Sequence, residues 1–343
     1  MNDVNHDQSS PNQIVVGPEE AGQKLFQFLI RRTGLPGGAV MRLVRTGQVR
    51  VDGKRAKPYM RLDTGVVVRI PPKLAEELVV VSARPPQDTH APLQVLAEEH
   101  GLLAVRKPSG LPTHGGSGHS DSLASRLAAA KPDAPFTPTP AHRLDKDTSG
   151  VLLAAVSYRA LAALQEAFRE RTVDKRYLAW VSGDFPSGGP YRLEDVLEKS
   201  GGPGSQRMRT SAVSGKLALS DVRLIEHRDG ACLVEIRLLT GRTHQIRVQL
   251  ASRGHPILGD AKYGTAAEMP LLLHAWRIGI PEGTLPGAPA YGRLVYECLP
   301  DWSDGYAVWA APGEWPREPA VSWTVRSIGP GVPGPRGSSR ESG

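Results

Sequence analysis

Cysteine is nearly absent from this chain of 343 residues, and long apolar runs are missing altogether. The two cysteines, Cys232 and Cys298, stand far apart and match neither a zinc-binding nor a Cys-x-x-Cys spacing. A reduced, cytoplasmic compartment is expected. No apolar stretch approaches the ~20 residues that cross a bilayer, so no membrane partner is expected. The opening MNDVNHDQSSPNQ is polar and slightly acidic, and neither a secretory nor a transit peptide is read there. No GxxxxGKS phosphate loop, GxSxG elbow or HExxH zinc helix occurs. The ten histidines form no ligand cluster by spacing; His114 with His119 and His244 with His255 are isolated pairs in different segments. No metal and no cofactor are expected, so an enzyme built on this chain works with its side chains alone.

What is present is positive charge, unevenly placed. The net charge is +7, yet the segment from Gly22 to Lys73 holds twelve Lys or Arg against Asp52 and Asp63. That segment alone carries +10, and the rest of the chain is slightly acidic. Such a concentration fits a polyanionic partner, because each phosphate neutralised releases condensed counterions. A solvated charged face is the plainer alternative.

The chain is long enough for two domains, and 40% hydrophobic residues suffice for a substantial core. Residues 1–13 are expected to be disordered. AGQKLFQFLIRRTG places Leu25, Phe26, Leu29 and Ile30 on a helical stripe ended by Gly34, and PGGAVMRLVRTG repeats the pattern with Val40, Met41, Leu43 and Val44. QVRVDGKRA alternates into an Asp-Gly turn, a hairpin signal, and DTGVVVRIPP supplies a further strand. Residues 14–72 make up this basic module, and 73–92 read as a linker with a strand at its start. A larger domain over 93–323 follows, with a helix at 158–171 carrying Leu161, Leu164 and Phe168. Strands are read at KRYLAWVSG, ACLVEIRLL and RLVYECLP, and GRTHQIRVQLASRG reads as a turn into a helix ended by Gly254. Strands and helices do not alternate regularly, which predicts an α+β fold with a mixed, mostly antiparallel sheet. Residues 191–215 are Gly-rich and read as a loop facing the partner, and 324–343 as a disordered tail.

Three segments combine turn-forming glycines with charge beside apolar strands: RKPSGLPTHGGSG, HRLDKDTSG and LLTGRTHQIR. A carboxylate next to an apolar strand needs a permanent cation to stay ionised. Asp145 or Asp147 can find one in Arg143, Arg242 or Arg247. From chemistry alone the choice stays open between a salt-bridged turn and an Asp held as nucleophile or general base.

The order helix, helix, VRVDGKRAKP, strand resembles the S-four RNA-binding domain over residues 20–70. HRLDKDTSGVLL resembles the signature of the RluA-type pseudouridine synthases. AVRKPSGLPTHGGSG, KRYLAWVSG, LLTGRTHQIRVQLASRGHPILGDAKYG and LLLHAW resemble further segments of that family, in the family's order, over residues 93–300. GKLALSDVR departs from a family turn at Leu217 and Ser220. The basic module brings the chain nearest to the RluC-like branch.

This resemblance implies isomerisation of uridine to pseudouridine in large-subunit ribosomal RNA or a pre-ribosomal particle, by a monomer, without a cofactor. It places the nucleophile at Asp145, its ion-pair partner at Arg242, and an aromatic neighbour of the uracil at Tyr177. It implies that Arg143 fills the gap left by a flipped base, and it makes His142, Thr148 and Ser149 turn-shaping residues. RNA contacts are expected at His114, Lys107, Lys175, Arg176 and Arg247, and in the basic module at Arg31, Arg42, Arg45, Arg50, Lys54 and Arg55. The alternatives are transfer RNA as substrate, an RNA-binding assembly factor with little activity, and a hydrolase using Asp145 on a small molecule. The basic module counts against the last.

Overall fold

Asp52 and Gly53 adopt left-handed backbone angles, φ 47° and 74°, the pair of positive values that a tight two-residue hairpin requires. The turn joins β2 (Arg50–Val51) to β3 (Lys54–Arg55), and the Asp52 carboxylate accepts the Val67 N–H at 2.9 Å. With β1 (Gln13–Val15) and β4 (Val67–Arg69) these strands form an antiparallel sheet in the order β1-β4-β2-β3. A computed structural model describes residues 12–76, 92–115, 121–201, 207–211, 214–265, 268–288, 292–316 and 320–323. The expected disordered start up to residue 11, most of the linker, the end of the HGGSG loop and the tail after 323 lie outside the described residues.

Helices α1 (Leu25–Thr33) and α2 (Gly37–Arg45) cover the small sheet. The buried face of α1 is Leu25, Phe28 and Leu29, so the predicted stripe is rotated, with Phe26 and Ile30 only partly buried. Two boundaries also move. Gln13 pairs with Arg69 and is therefore not disordered. Residues 72–76 form a helical turn, not a strand, because Pro72 occupies the first helical position, where its fixed φ and missing N–H carry no penalty. Leu74 and Ala75 from this turn close the N-terminal core.

The larger domain is built on one sheet. Its strands are β5 (Gln94–Glu99), β6 (Leu102–Lys107), β7 (Thr139–Pro140), β8 (Ser149–Ala155), β9 (Asp174–Ser182), β10 (Tyr191–Ser200), β11 (Arg207–Thr210), β12 (Lys216–Arg228), β13 (Ala231–Leu238), β14 (Leu273–Ile280), β15 (Leu294–Glu297) and β16 (Val321–Trp323). The main order is β11-β10-β12-β13-β9-β14-β8-β6-β5. Among the described residues only β14 with β8 and β10 with β16 run parallel, so the sheet is mixed and mostly antiparallel, as the sequence predicts. The expected loop at 191–215 is instead largely the β10–β11 ladder, in which Leu197 faces Thr210 and Ser200 faces Arg207. Buried and more exposed residues alternate along Tyr191–Leu197, but buried Asp195 and adjacent Val196 and Leu197 break that alternation in the sequence.

Helices α3 (Leu123–Ala130) and α5 (Gln245–Ala251) cover one face of the sheet, over Leu152, Tyr177, Val234 and Ile236. Helix α4 (Tyr158–Arg169) covers the other through Ala160, Leu161 and Leu164, with its Ser157 N-cap accepting the Ala160 N–H. Strand β8 is therefore buried on both sides, which explains why SGVLLAA lacks a polar–apolar alternation.

The two domains touch. Arg31 of α1 lies 4.2 Å from the centre of the Phe136 ring and donates to Thr139 Oγ1, and the Tyr158 N–H donates to the Glu19 carbonyl at 2.7 Å. Arg31 is thus an interdomain bolt and not the RNA contact expected from the sequence.

Gly150 at the start of β8 has φ 118°, and a Cβ there would lie 2.2 Å from the Ala275 carbonyl oxygen in β14. Gly150→Ala is expected to lower stability by about 3 kcal/mol or more, read as a lower thermal midpoint. A midpoint equal to wild type would contradict this close packing.

Candidate active site

The loop from Ala141 to Thr148 joins β7 to β8 and carries Arg143, Leu144 and Asp145 just before a turn at Lys146–Asp147. Its shape follows from partners at both ends. His142 Nε2 accepts the Leu153 N–H at 3.0 Å, and its ring packs 4.6 Å from Phe168. Burial, and then the charge of Lys175, push this imidazole down to about 3, so it stays a neutral acceptor. Thr113 Oγ1 both donates to the Leu144 carbonyl and accepts the Leu144 N–H. Ser149 is bonded to His274 Nδ1 at 2.8 Å, and His274 Nε2 meets the Cys298 carbonyl at 3.0 Å. A carbonyl only accepts, so Nε2 carries the proton and Nδ1 accepts from Ser149. Burial pushes His274 down to about 4, which keeps it neutral.

The central fastener is Lys107. Its side chain is completely buried, and Nζ donates to the carbonyls of Pro108, Leu111 and Lys146 at 2.8, 2.7 and 2.9 Å. All three ammonium hydrogens are used. Lys107 is therefore not an RNA contact but the tie between the RKPSGLP loop and the Asp145 loop. Burial pushes its pKa down to about 8, opposed by the charges of Asp147 and Asp145, so it remains a cation at neutral pH. Ser109 adds a hydroxyl bond to the Asp147 carbonyl at 2.7 Å.

Above this base lies a cleft of about 110 Å³, lined by Arg143, Asp145, Tyr177, Arg242, His244 and Arg247 among others. Tyr177 comes from the central strand β9, between Ile236 and Ala275. It is 7% exposed, and burial together with the charge of Asp145 raises its phenol well above the usual range. The phenol keeps its proton at any physiological pH.

The arginines sort differently from the sequence expectation. Arg242, expected to pair with Asp145, makes no ion pair with it among the described residues. It stands half-buried at the cleft rim, and its Nε donates to the Leu217 carbonyl at 3.0 Å. Arg247, one helical turn into α5, is 6% exposed and grips Asp260 with two bonds of 2.8 and 2.6 Å. Burial opposes its charge, but the bonds and charge of Asp260 and the charge of Asp145 outweigh it and raise its pKa. Burial likewise works against the Asp260 carboxylate, which is nonetheless held below its usual range by Arg247 and by the N–H groups of Lys262 and Tyr263. The RNA contact expected at Arg247 is therefore a buried member of the cleft wall. Gln245 fixes the turn before it, accepting from Thr240 Oγ1 and the Arg242 N–H and donating to the Leu219 carbonyl.

Arg143 is exposed, and its charge, after burial, lowers the pKa of His114 across the cleft mouth. Lys175 neighbours His142. Arg176 is bound to Asp174 at 3.0 Å, lies 3.7 Å from Glu235 and faces the Trp315 ring, so it is spent internally and is not a phosphate contact. Asp260, Gln245, Tyr263 and Thr113 were missed in the sequence. Only the run GDAKYG offered a signal, a carboxylate between glycines, with Gly259 forced by a Pro270 carbonyl 2.0 Å from its would-be Cβ. Among the described residues no cluster of His, Cys, Asp or Glu is placed to hold a metal, and no helix is long and apolar enough to cross a membrane.

A carboxylate, a protonated phenol and an anchored guanidinium line one cleft on a mixed sheet joined to a basic domain, a combination that fits an enzyme acting on RNA. The sequence model of the family described as RNA pseudouridylate synthase matches residues 101–252. The chain is 38% identical over 254 residues to the ribosomal large subunit pseudouridine synthase C of Pasteurella multocida, covering 73% of this chain and 77% of that one. It is 39% identical over 254 residues to the protein of that name from Escherichia coli K12, covering 73% and 79%. The solved structure of human RNA pseudouridylate synthase domain containing 1 is similar at a TM-score of 0.51 and 27% identity, over 61% of this chain and 83% of that one. The chain belongs to the RNA pseudouridylate synthase family and is an RNA pseudouridine synthase.

Lys107→Met removes three charge-assisted bonds while keeping the side chain's length. It is expected to cost about 3 kcal/mol or more in stability, and to slow turnover of saturating RNA by at least about tenfold through a loosened Asp145 loop. Wild-type stability and rate in this variant would show that the loop holds itself.

Proposed function

We propose that this protein isomerises specific uridines to pseudouridine in large-subunit ribosomal RNA, free or in an assembling subunit, with Asp145 as the nucleophile. The observation that carries the reading is the meeting of Asp145, Tyr177 and Arg247 around one cleft. A base in structured RNA must leave the stack to reach that carboxylate. Arg143, exposed two residues before Asp145, is suited to enter the vacated space, since a guanidinium plane stacks on the neighbouring bases.

The reaction breaks the bond from uracil N1 to ribose C1′ and forms one from C5 to C1′. The carboxylate attacks either C1′ or the uracil ring, and either adduct is an ester-like species that can be released again. After the uracil turns, C5 loses its proton and N1 ends with one, so no atom is gained or lost. Arg247 is the cation that aims Asp145, itself fixed by the Asp260 fork. Tyr177 lends its ring to the detached uracil. With its pKa raised it acts as a hydrogen-bonding phenol and not as a phenolate base. In the basic domain Arg42, Arg45, Lys54 and Arg55 are exposed and Arg50 is half-buried, and we assign these five to phosphates of the same RNA. A reducing compartment suits the two free thiols.

The test is pseudouridine mapping on in-vitro-transcribed large-subunit ribosomal RNA with wild type and Asp145→Asn. Wild type is expected to introduce modified positions. The variant is expected to bind the RNA within about threefold and to lose at least about 1,000-fold in rate. Near-normal modification by Asp145→Asn would remove this carboxylate from the mechanism.

A further inference from the structure

Beside the cleft lies a second hollow, of about 390 Å³, lined by Arg171, Thr172, Asp174, Arg237, Leu239 and Arg293 among others. The two share Leu238 as a common wall. Chain connectivity brings them together in the same way, since Asp174 opens β9 just before Tyr177, and Leu239 leads directly to the Gly241–Arg242 rim.

Three guanidiniums and one carboxylate meet here. The carboxylate is already committed, because Asp174 accepts from Arg176 Nε at 3.0 Å and from Arg237 Nε at 3.1 Å. Arg171 and Arg293 are exposed and, among the described residues, form no ion pair. Arg171 also sits at φ 60° just past the end of α4, a conformation that costs a non-glycine residue about 1 kcal/mol. The chain thus carries an arginine where glycine would be easier. Lys175 adds to the excess: burial, and then the charge of Arg171, push its ammonium down to about 8, with Asp174 opposing. Cations gathered without enough acid repel one another unless an anion joins them.

We propose that this hollow is a phosphate subsite, in which Arg171 and Arg293, with the remaining edge of Arg237, grip a backbone phosphate of the RNA beside the uridine held at Asp145. The proposal rests on the reading of the neighbouring cleft as a uridine isomerase site. Guanidinium forks match phosphate oxygens two at a time, where lysines would offer only point charges. A phosphodiester suits the place because the backbone on either side of a flipped nucleotide must pass the mouth of its pocket. The subsite supplies affinity and register at a distance from the bonds that change, so its loss falls on binding more than on chemistry.

The test uses the full chain with Arg171→Gln/Arg293→Gln and with Arg171→Lys/Arg293→Lys. RNA affinity is measured across salt concentrations on in-vitro-transcribed large-subunit ribosomal RNA fragments, and single-turnover pseudouridine formation is measured at saturating RNA. The Gln pair is expected to bind about tenfold more weakly. Its slope of log affinity against log salt should be shallower by about 0.7 per phosphate lost, with the saturating rate within about threefold of wild type. The Lys pair should recover the slope and part of the affinity. Affinity and slope unchanged in the Gln pair would overturn the subsite, and a saturating rate lost without any change in slope would overturn it equally. If wild type itself forms no pseudouridine in any fragment, the isomerase reading falls, and the binding slopes alone then decide the subsite.

Discussion

One buried ammonium fixes the loop that carries Asp145. Lys107 gives its three hydrogens to carbonyls of two different loops, and the loop that carries Asp145 is one of them. Burying an ammonium costs several kcal/mol, and three charge-assisted bonds of about 1.5–3 kcal/mol each offset that cost only when all three are made. The arrangement is therefore close to all-or-none, which is what holds a short loop still without a helix or strand of its own. The same ammonium places a positive charge behind the Asp145 and Asp147 carboxylates.

Around that tie the site is layered by charge. Asp145 shares its cleft with the Arg247 guanidinium, Arg247 is fixed by Asp260, and Asp260 is fixed in turn by two backbone N–H groups. Tyr177 is buried in the central strand β9, between Ile236 and Ala275. Arg143, Arg42, Arg45, Lys54 and Arg55 are exposed, so their charge faces solvent. Arg31 joins the two domains, so the basic stripe is carried on a body that touches β7, the strand leading into the Asp145 loop.

Much of this was legible in the sequence, for reasons that differ from element to element. HRLDKDTSG could be read because a turn that must hold an ion beside an apolar strand leaves a dense, ordered signature. The Asp52–Gly53 hairpin could be read because its backbone angles restrict residue choice. What could not be read is partner choice in three dimensions. Arg242 and Arg247 are equally good arginines on paper, and only the left-handed His244 cap and the Asp260 fork decide which one enters the wall. Lys107 and Arg176 looked like phosphate contacts because sequence does not reveal that a cation is buried against carbonyls or already paired with acids. The β10–β11 ladder was hidden by glycines at its ends and by the break in alternation at Asp195.

The most direct test of the account compares Arg247→Lys with Arg242→Lys in single-turnover pseudouridine formation at saturating RNA. If Arg247 is the cation that aims Asp145, its replacement by lysine breaks the fork to Asp260 and should slow the reaction by about 100-fold or more. Arg242→Lys, at the rim, should stay within about fivefold. The reverse order, a slow Arg242→Lys beside a near-normal Arg247→Lys, would contradict the assignment and return the partner of Asp145 to the rim.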